Sequence, residues 1–225
     1  MLGQFTMFAP SKDLPLRQRV QLEIVSLEQA RHTLEKYHYL HRARVGRQIN
    51  YAVIIDGVID GVITYAYPMM SAPLLGVPAD ELVEFARLFL FQNIPHTATC
   101  AIGKSVKRIQ KDWSLLFPDA KPIQLIVSWS DTVHHKGTIY KAANFEWIKR
   151  TSGGGAGNTA NSKRGARKPY ADYDHPKDCW VYWLERRRTP HAVDSGGASP
   201  PQSESTPEDL STQLAVSTPT PLPLM

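Results

Sequence analysis

IQLIVSWSDTVHHKGTIYKAANF, residues 123–145, contains a strand, a loop and a helix in one stretch. IQLIVSWS is a near-continuous apolar run, the pattern of a strand buried on both faces. GTIYKAANF reads as a short helix opened by a glycine. A strand end running into a helix is where open α/β sheets hold ligands. Asp131, His134, His135, Gly137 and Tyr140 all fall at this junction. Asp131 can accept a proton or ligate a metal, and the histidines can serve as acid, base or ligand. Gly137 permits close backbone approach, and Tyr140 sits on the first turn of the helix. The plainer alternative is an aspartate that caps the turn beside two solvated histidines.

Working outward, the other ordered segments alternate between the two regular structures. EIVSLEQARHTLEKYHYL begins as a strand and continues as a helix with Ala30, Leu34 and Tyr37 at helical spacing. YAVIIDGVIDGVITYAYP contains two β-rich runs around Asp-Gly signals, a hairpin. ELVEFARLFLF is strand-like from Leu82. CAIGKSVKRIQKDWSLL reads as a single helix, with Ile102, Val106, Ile109 and Trp113 on one face and Lys104, Lys107, Arg108 and Lys111 on the other. CWVYWLE closes the body as a strand. Helices between strands predict one α/β domain over residues 1–188, a central mixed sheet flanked by helices.

Two segments stand apart. From Thr189 to Met225 the chain is rich in Ser, Thr and Pro, a composition that cannot bury enough surface to fold, so a disordered acidic tail is expected at 189–225. Within the body, TSGGGAGNTANSKRGARKPY (151–170) predicts a flexible loop whose second half is basic through Lys163, Arg164, Arg167 and Lys168. Its SGGGAG run lacks the Gly-Lys-Ser/Thr of a phosphate-binding Walker loop.

Charge divides along the same boundary. The tail has four acidic residues and no Lys or Arg, which puts +9 on the body out of a total of +5. A body this basic favours an anionic partner: a nucleic acid such as double-stranded DNA, a phosphorylated cofactor, or an acidic surface. Hydrophobic residues make up 42% of the chain, enough for a core. No apolar run reaches the ~18 residues of a membrane span. With Cys100 and Cys179 far apart and no secretory leader pattern, a reduced cytoplasmic protein with no membrane association is expected.

A second chemical cluster is KYHYLHRARVGR, residues 36–47. His38, Tyr39 and His41 alternate aromatic and imidazole rings, and Arg42, Arg44 and Arg47 follow. Aromatic faces stack on an extruded base and arginines hold phosphates. The alternative is a helix end with core tyrosines and solvated arginines. His38, Asp131 and His134 form a two-histidine, one-carboxylate set of the kind that binds iron, although no local ligand spacing supports it. Cys100, at a strand-to-helix junction, is either a thiol activated by the helix terminus or a structural cysteine.

Several of these segments together resemble a known family. EFARLFL, the helix after CAIG, IVSWSD and IYKAANF are similar to the core of Gcn5-related N-acetyltransferases, in which a tyrosine-bearing helix follows the strand that splays away to admit acyl-CoA. More narrowly, YHYLHR, IDGVITYAYP, EFARL, CAIG and IVSWSDTVHHKGTIYKAANF resemble the phage Mom family, DNA-modifying relatives of those acetyltransferases. The similarity runs from about Leu34 to Leu184. It implies conversion of adenine in DNA to an N6-carbamoylmethyl derivative that protects DNA from restriction.

By the same resemblance His38, Tyr39, Asp131 and Tyr140 are catalytic. Glu84 and Arg87 match the E-x-x-R-L strand motif, and with Arg42 and Arg44 they join the substrate and DNA contacts. Cys100, Gly103 and Lys104 stand where a cofactor would bind. The chain departs from acetyltransferases at NIPHTATCAIGKS, where a single glycine replaces the glycine-rich pyrophosphate loop.

Three functions compete on this reading. They are Mom-type DNA modification, acetyl transfer from acetyl-CoA to a small amine or protein, and DNA binding without catalysis. The donor is either acetyl-CoA or another acyl donor, with iron as an optional metal, and a homodimer is compatible with the sequence.

Overall fold

A computed structural model describes residues 14–69, 72–151 and 175–184. The expected tail and all of the expected basic loop beyond Thr151 lie outside these residues, and with them Lys163, Arg164, Arg167 and Lys168. Strands β1 (Val20–Val25), β2 (Gln48–Ile55), β3 (Val58–Ala66), β4 (Leu82–Leu90), β5 (Leu125–Asp131), β6 (Glu146–Arg150) and β7 (Lys177–Trp183) form one sheet in the order β1-β2-β3-β4-β5-β7-β6. All neighbours are antiparallel except β4 and β5, which are parallel. Helices α1 (Leu16–Arg19), α2 (Leu27–Tyr37), α3 (Thr97–Val106), α4 (Ile109–Leu116) and α5 (Thr138–Ala142) complete the body. This is the mixed α/β class read from the sequence, with one strand more. Strand β6 is short and largely exposed, so it offers no apolar alternation, and it exists by pairing with β7.

Strand β2 is buried at seven successive positions, Ile49 to Ile55, which requires cover on both faces. One cover is α3 and α4, whose Ala101, Ile102, Val106, Ile109 and Trp113 pack with Tyr51, Tyr65 and Phe85. The other is α2, which buries Ala30 and Leu34 over β2 and β3. Ser26 and Gln29 close a reciprocal capping box at its start, a device worth about 1 kcal/mol. Among the described residues no helix is long and apolar enough to cross a membrane.

The single helix expected from Cys100 to Leu116 is two helices, broken at Lys107 and Arg108. Arg108 leaves the solvent face assigned to it. Its guanidinium donates to the Leu22 carbonyl at 2.8 Å and to Asp112, and lies over the Tyr51 ring. Tyr51 donates to the other side of the network, at Asp112 Oδ2. These bonds fasten the break to β1 and β2.

Two features of β4 create the site. It pairs with β5 only over Leu82–Glu84 and Leu125–Val127, and beyond that the strands run on without pairing to each other. A bulge also interrupts its ladder with β3, where Thr64 faces Arg87 but Tyr65 faces Phe85, leaving Ala86 extra. A bulge resets the alternation of a strand. Glu84 and Arg87, three residues apart, therefore line the same pocket.

Candidate active site

The gap between β4 and β5 opens into a cavity of about 460 Å³, within the range that holds small-molecule ligands. Asp131 stands at its wall as the last residue of β5 and is only 3% exposed. Its Oδ1 accepts the Val133 N–H at 2.8 Å, so it does brace the turn as the plainer reading held, while also lining the cavity.

Tyr140 reaches the same cavity from α5. Ser128 Oγ lies 2.8 Å from the Phe85 carbonyl and 3.1 Å from the Tyr140 hydroxyl. The carbonyl can only accept, so the serine proton goes there and Tyr140 donates to Ser128. Burial pushes the Tyr140 phenol up to about 12, which leaves it a proton donor at neutral pH. Its ring stacks on Trp180 at 5.3 Å, and the Trp180 indole N–H donates to Ser130 Oγ at 2.9 Å. Gly137, in the left-handed region at φ 74°, faces that indole, and an added Cβ would lie 2.2 Å from a ring carbon. The glycine is thus required by the tryptophan that positions Tyr140.

His38 and Tyr39 enter from the chain just beyond α2. The His38 ring is buried, and its Nδ1 accepts the Leu40 N–H at 3.1 Å, which puts the neutral ring's proton on Nε2. Burial first, then the nearby Arg87 charge, lowers His38 to about 4. His38 is consequently a neutral hydrogen-bond donor at physiological pH. Tyr39 is 41% exposed and stacks on His38 at 4.5 Å, with His134 5.3 Å away. His41 turns away from the cavity lining and meets the Glu35 carbonyl through Nδ1, at the end of α2.

Of the basic residues expected on DNA, Arg42 lines the cavity and is half-buried. Arg44 is 9% exposed, pairs with Glu84 at 2.7 Å and donates to the Tyr67 carbonyl. Arg44 and Glu84 are therefore an inward-facing ion pair in the pocket wall. Arg87 also lines the pocket, held well below its usual value at about 10 by burial and by Arg44. Lys177, the first residue of β7, lies opposite Asp131 in the β5–β7 register and joins the lining.

The sequence reading missed Lys177 and Trp180. Both come from β7, far along the chain, and no local spacing ties them to Asp131. The apolar alternation of CWVYW was the one available signal, since it points Trp180 and Tyr182 to the same face.

The iron set is not assembled. Among the described residues no three His, Cys, Asp or Glu side chains are gathered to hold a metal ion. The His38 Nδ1 lone pair is taken by Leu40, Nε2 carries the proton, and the Tyr39 ring packs against both His38 and His134.

Cys100, Gly103 and Lys104 do come together, but in a second cavity of about 710 Å³ that shares no lining residue with the first. Arg17 and Lys107 add to its positive lining. The Cys100 thiol is raised by burial rather than lowered, so it is not an activated nucleophile. The lysines suit phosphate groups. The backbone before α3 does not form a glycine cradle, since His96 occupies the N-cap in the left-handed region.

Among curated proteins, no match to the chain was found. Among solved structures it is similar to Arabidopsis thaliana NAA60 in complex with acetyl-CoA, at 13% identity over 73% of this chain and 98% of that one, TM-score 0.46. It is similar to a Salmonella typhimurium acetyl transferase that modifies the N-terminal serine of ribosomal protein L7/L12, at 10% identity over 76% and 98%, TM-score 0.46. Spermidine N-acetyltransferase from Vibrio cholerae is similar at 8% identity over 74% and 95%, TM-score 0.45. The model of the Mom protein family matches residues 19–166, most of the body that carries Asp131, Tyr140 and the β4–β5 gap, and the chain belongs to that family.

Proposed function

We propose that this protein is a DNA-modifying group transferase that alkylates the exocyclic amine of adenine to give the N6-carbamoylmethyl base and so shields DNA from restriction. The observation that carries the reading is the meeting of a buried carboxylate, a neutral phenol donor and an exposed aromatic ring at one cavity in a Mom-family chain.

The amine of adenine is a weak nucleophile inside a duplex, so the base must be extruded, at a cost of a few kcal/mol. Tyr39 offers the stacking face at the mouth of the pocket. Asp131 accepts the amine proton as the N6–CH2 bond forms and the bond from that methylene to the donor's leaving group breaks, and the Tyr140 O–H, turning from Ser128, protonates the leaving group. The Nε2–H of His38 donates a hydrogen bond to the carboxamide oxygen of the incoming carbamoylmethyl group and orients it. Arg42 holds a flanking phosphate.

Nucleoside mass spectrometry of plasmid DNA from expressing cells tests the reading. A new adenosine species carrying the carbamoylmethyl mass is expected, absent with Asp131→Asn. Unmodified DNA from well-expressed, folded protein would reject it.

The basic second cavity favours one other reading, acetyl transfer from acetyl-CoA to a small amine, with Lys104, Lys107 and Arg17 on the phosphates. CoA would bring the acyl thioester, and these side chains would only bind and orient it. DNA-independent release of CoA thiol would select this reading over the first.

A further inference from the structure

The active cavity holds more positive charge than the proposed chemistry uses. Its described lining carries four cations, Arg42, Arg44, Arg87 and Lys177, against two carboxylates, Glu84 and Asp131. Glu84 is consumed by Arg44 at 2.7 Å. Among the described lining residues the cations outnumber the carboxylates by two.

Arg87 is half-buried among them. Its Nε is buried without a hydrogen-bond partner, and its Nη1 reaches only the adjacent Ala86 carbonyl. A guanidinium has five N–H donors and prefers a planar, two-oxygen acceptor. Burying such a cation beside further cations costs several kcal/mol unless an anion compensates it. Arg87 directly follows the bulge at Ala86, within the β4 segment that lines the pocket.

We propose that Arg87 and Lys177 form an anion subsite within the pocket that takes the carboxylate of a small co-substrate. The claim rests on the DNA-modification reading for its location and adds to it the chemical class of the second substrate. DNA phosphates fit less well as the occupant. In an extruded nucleotide the base enters first and its phosphates stay at the mouth, where Tyr39 and Met69 are exposed. The Nε of Arg87 is buried behind that rim. Carboxylate geometry also matches the guanidinium fork while leaving Lys177 to serve either oxygen as a point charge. Burial depresses both groups, with Arg44 adding to it at Arg87 and Arg87 adding to it at Lys177, and an arriving anion would relieve that electrostatic cost.

The test is titration of the full-length protein with carboxyl-labelled ¹³C-acetate, read by NMR, beside the variants Arg87→Gln, Lys177→Gln and the exposed-site control Lys111→Gln. Saturable binding that weakens about tenfold or more in the first two variants and is unchanged in the third is expected. Partial rescue by Arg87→Lys would separate charge from fork geometry. If Arg87→Gln fails to fold, Lys177→Gln decides. Acetate that fails to saturate the wild-type protein, or binds both variants as tightly, overturns the subsite. A second arm measures duplex DNA binding against salt. A log–log slope reduced by about 0.9 in Arg87→Gln would assign the residue to a DNA phosphate and likewise overturn the proposal. Acetate binding needs neither DNA nor turnover, so acetate binding alongside unmodified DNA sinks the DNA reading alone. Modified DNA with no acetate binding sinks the subsite alone.

Discussion

The two cavities of the body are both basic, yet they differ in what else lines them. The one at the β4–β5 gap gathers an aspartate, a phenol raised to about 12 and an imidazole lowered to about 4. The one along α3 has cations, a thiol raised by burial and a backbone with no cradle. Positive charge alone thus marks where an anion can rest. Proton-transfer groups whose environments push them in opposite directions mark where bonds change. The difference traces to geometry: strands that part leave polar ends facing each other, whereas the side of a helix offers only what its surface carries.

The sharpest way to break this contrast is Asp131→Asn, which removes the proton acceptor and keeps the shape. A loss of modification of about 10²–10⁴-fold is expected with the melting curve nearly unchanged. Retained activity would dissolve the distinction between the cavities. Next in size is Gly137→Ala. Its Cβ would strike the Trp180 indole, and the left-handed backbone adds strain, so a destabilisation of about 3 kcal/mol or a displaced Trp180 is expected in urea titrations followed by tryptophan fluorescence. A wild-type midpoint with unshifted fluorescence would show that the indole is not what holds Tyr140.

A smaller effect separates the cavities by pH. His38 sits near 4 in the folded protein and near 6.5 when unfolded. Between these values the unfolded chain takes up the proton that the folded one refuses, so stability falls as pH drops from about 6.5 towards 4, with a slope of up to about 1.4 kcal/mol per unit from this group. His38→Gln should flatten that part of the profile, and an unaltered profile would mean the histidine is solvated. Smallest of all is Lys104→Gln in the second cavity, expected to shift stability by no more than about 0.5 kcal/mol. A larger shift in thermal unfolding would mean that α3 depends on its cations for folding.

Much of the site was legible where chemistry and chain position coincide. Asp131 and Tyr140 share one strand–loop–helix unit, and period and turn residues alone place both at a strand end. The burial of Arg44 was not legible: an arginine two residues from another looks solvated in a sequence, and only a carboxylate 40 positions away, Glu84, makes its burial tolerable. The joint placement of Glu84 and Arg87 needed a bulge, which three-residue spacing in a strand would otherwise forbid. The break at Arg108 has the same origin, since the Leu22 carbonyl that draws the side chain inward is invisible to helical periodicity.

Strand β7 carries Trp180 and Lys177 and lies between β5 and β6 in the sheet, though it is the last of the seven in sequence. During synthesis β6 therefore emerges before the neighbour it pairs with, and β5 waits with one edge open. The wall of the pocket is set only when residues 177–183 have left the ribosome. On this order of events a nascent chain stopped at Arg150 carries Asp131 and Tyr140 but not the indole that orients them. Such a chain should remain silent towards DNA until a peptide spanning 175–184 is supplied in trans.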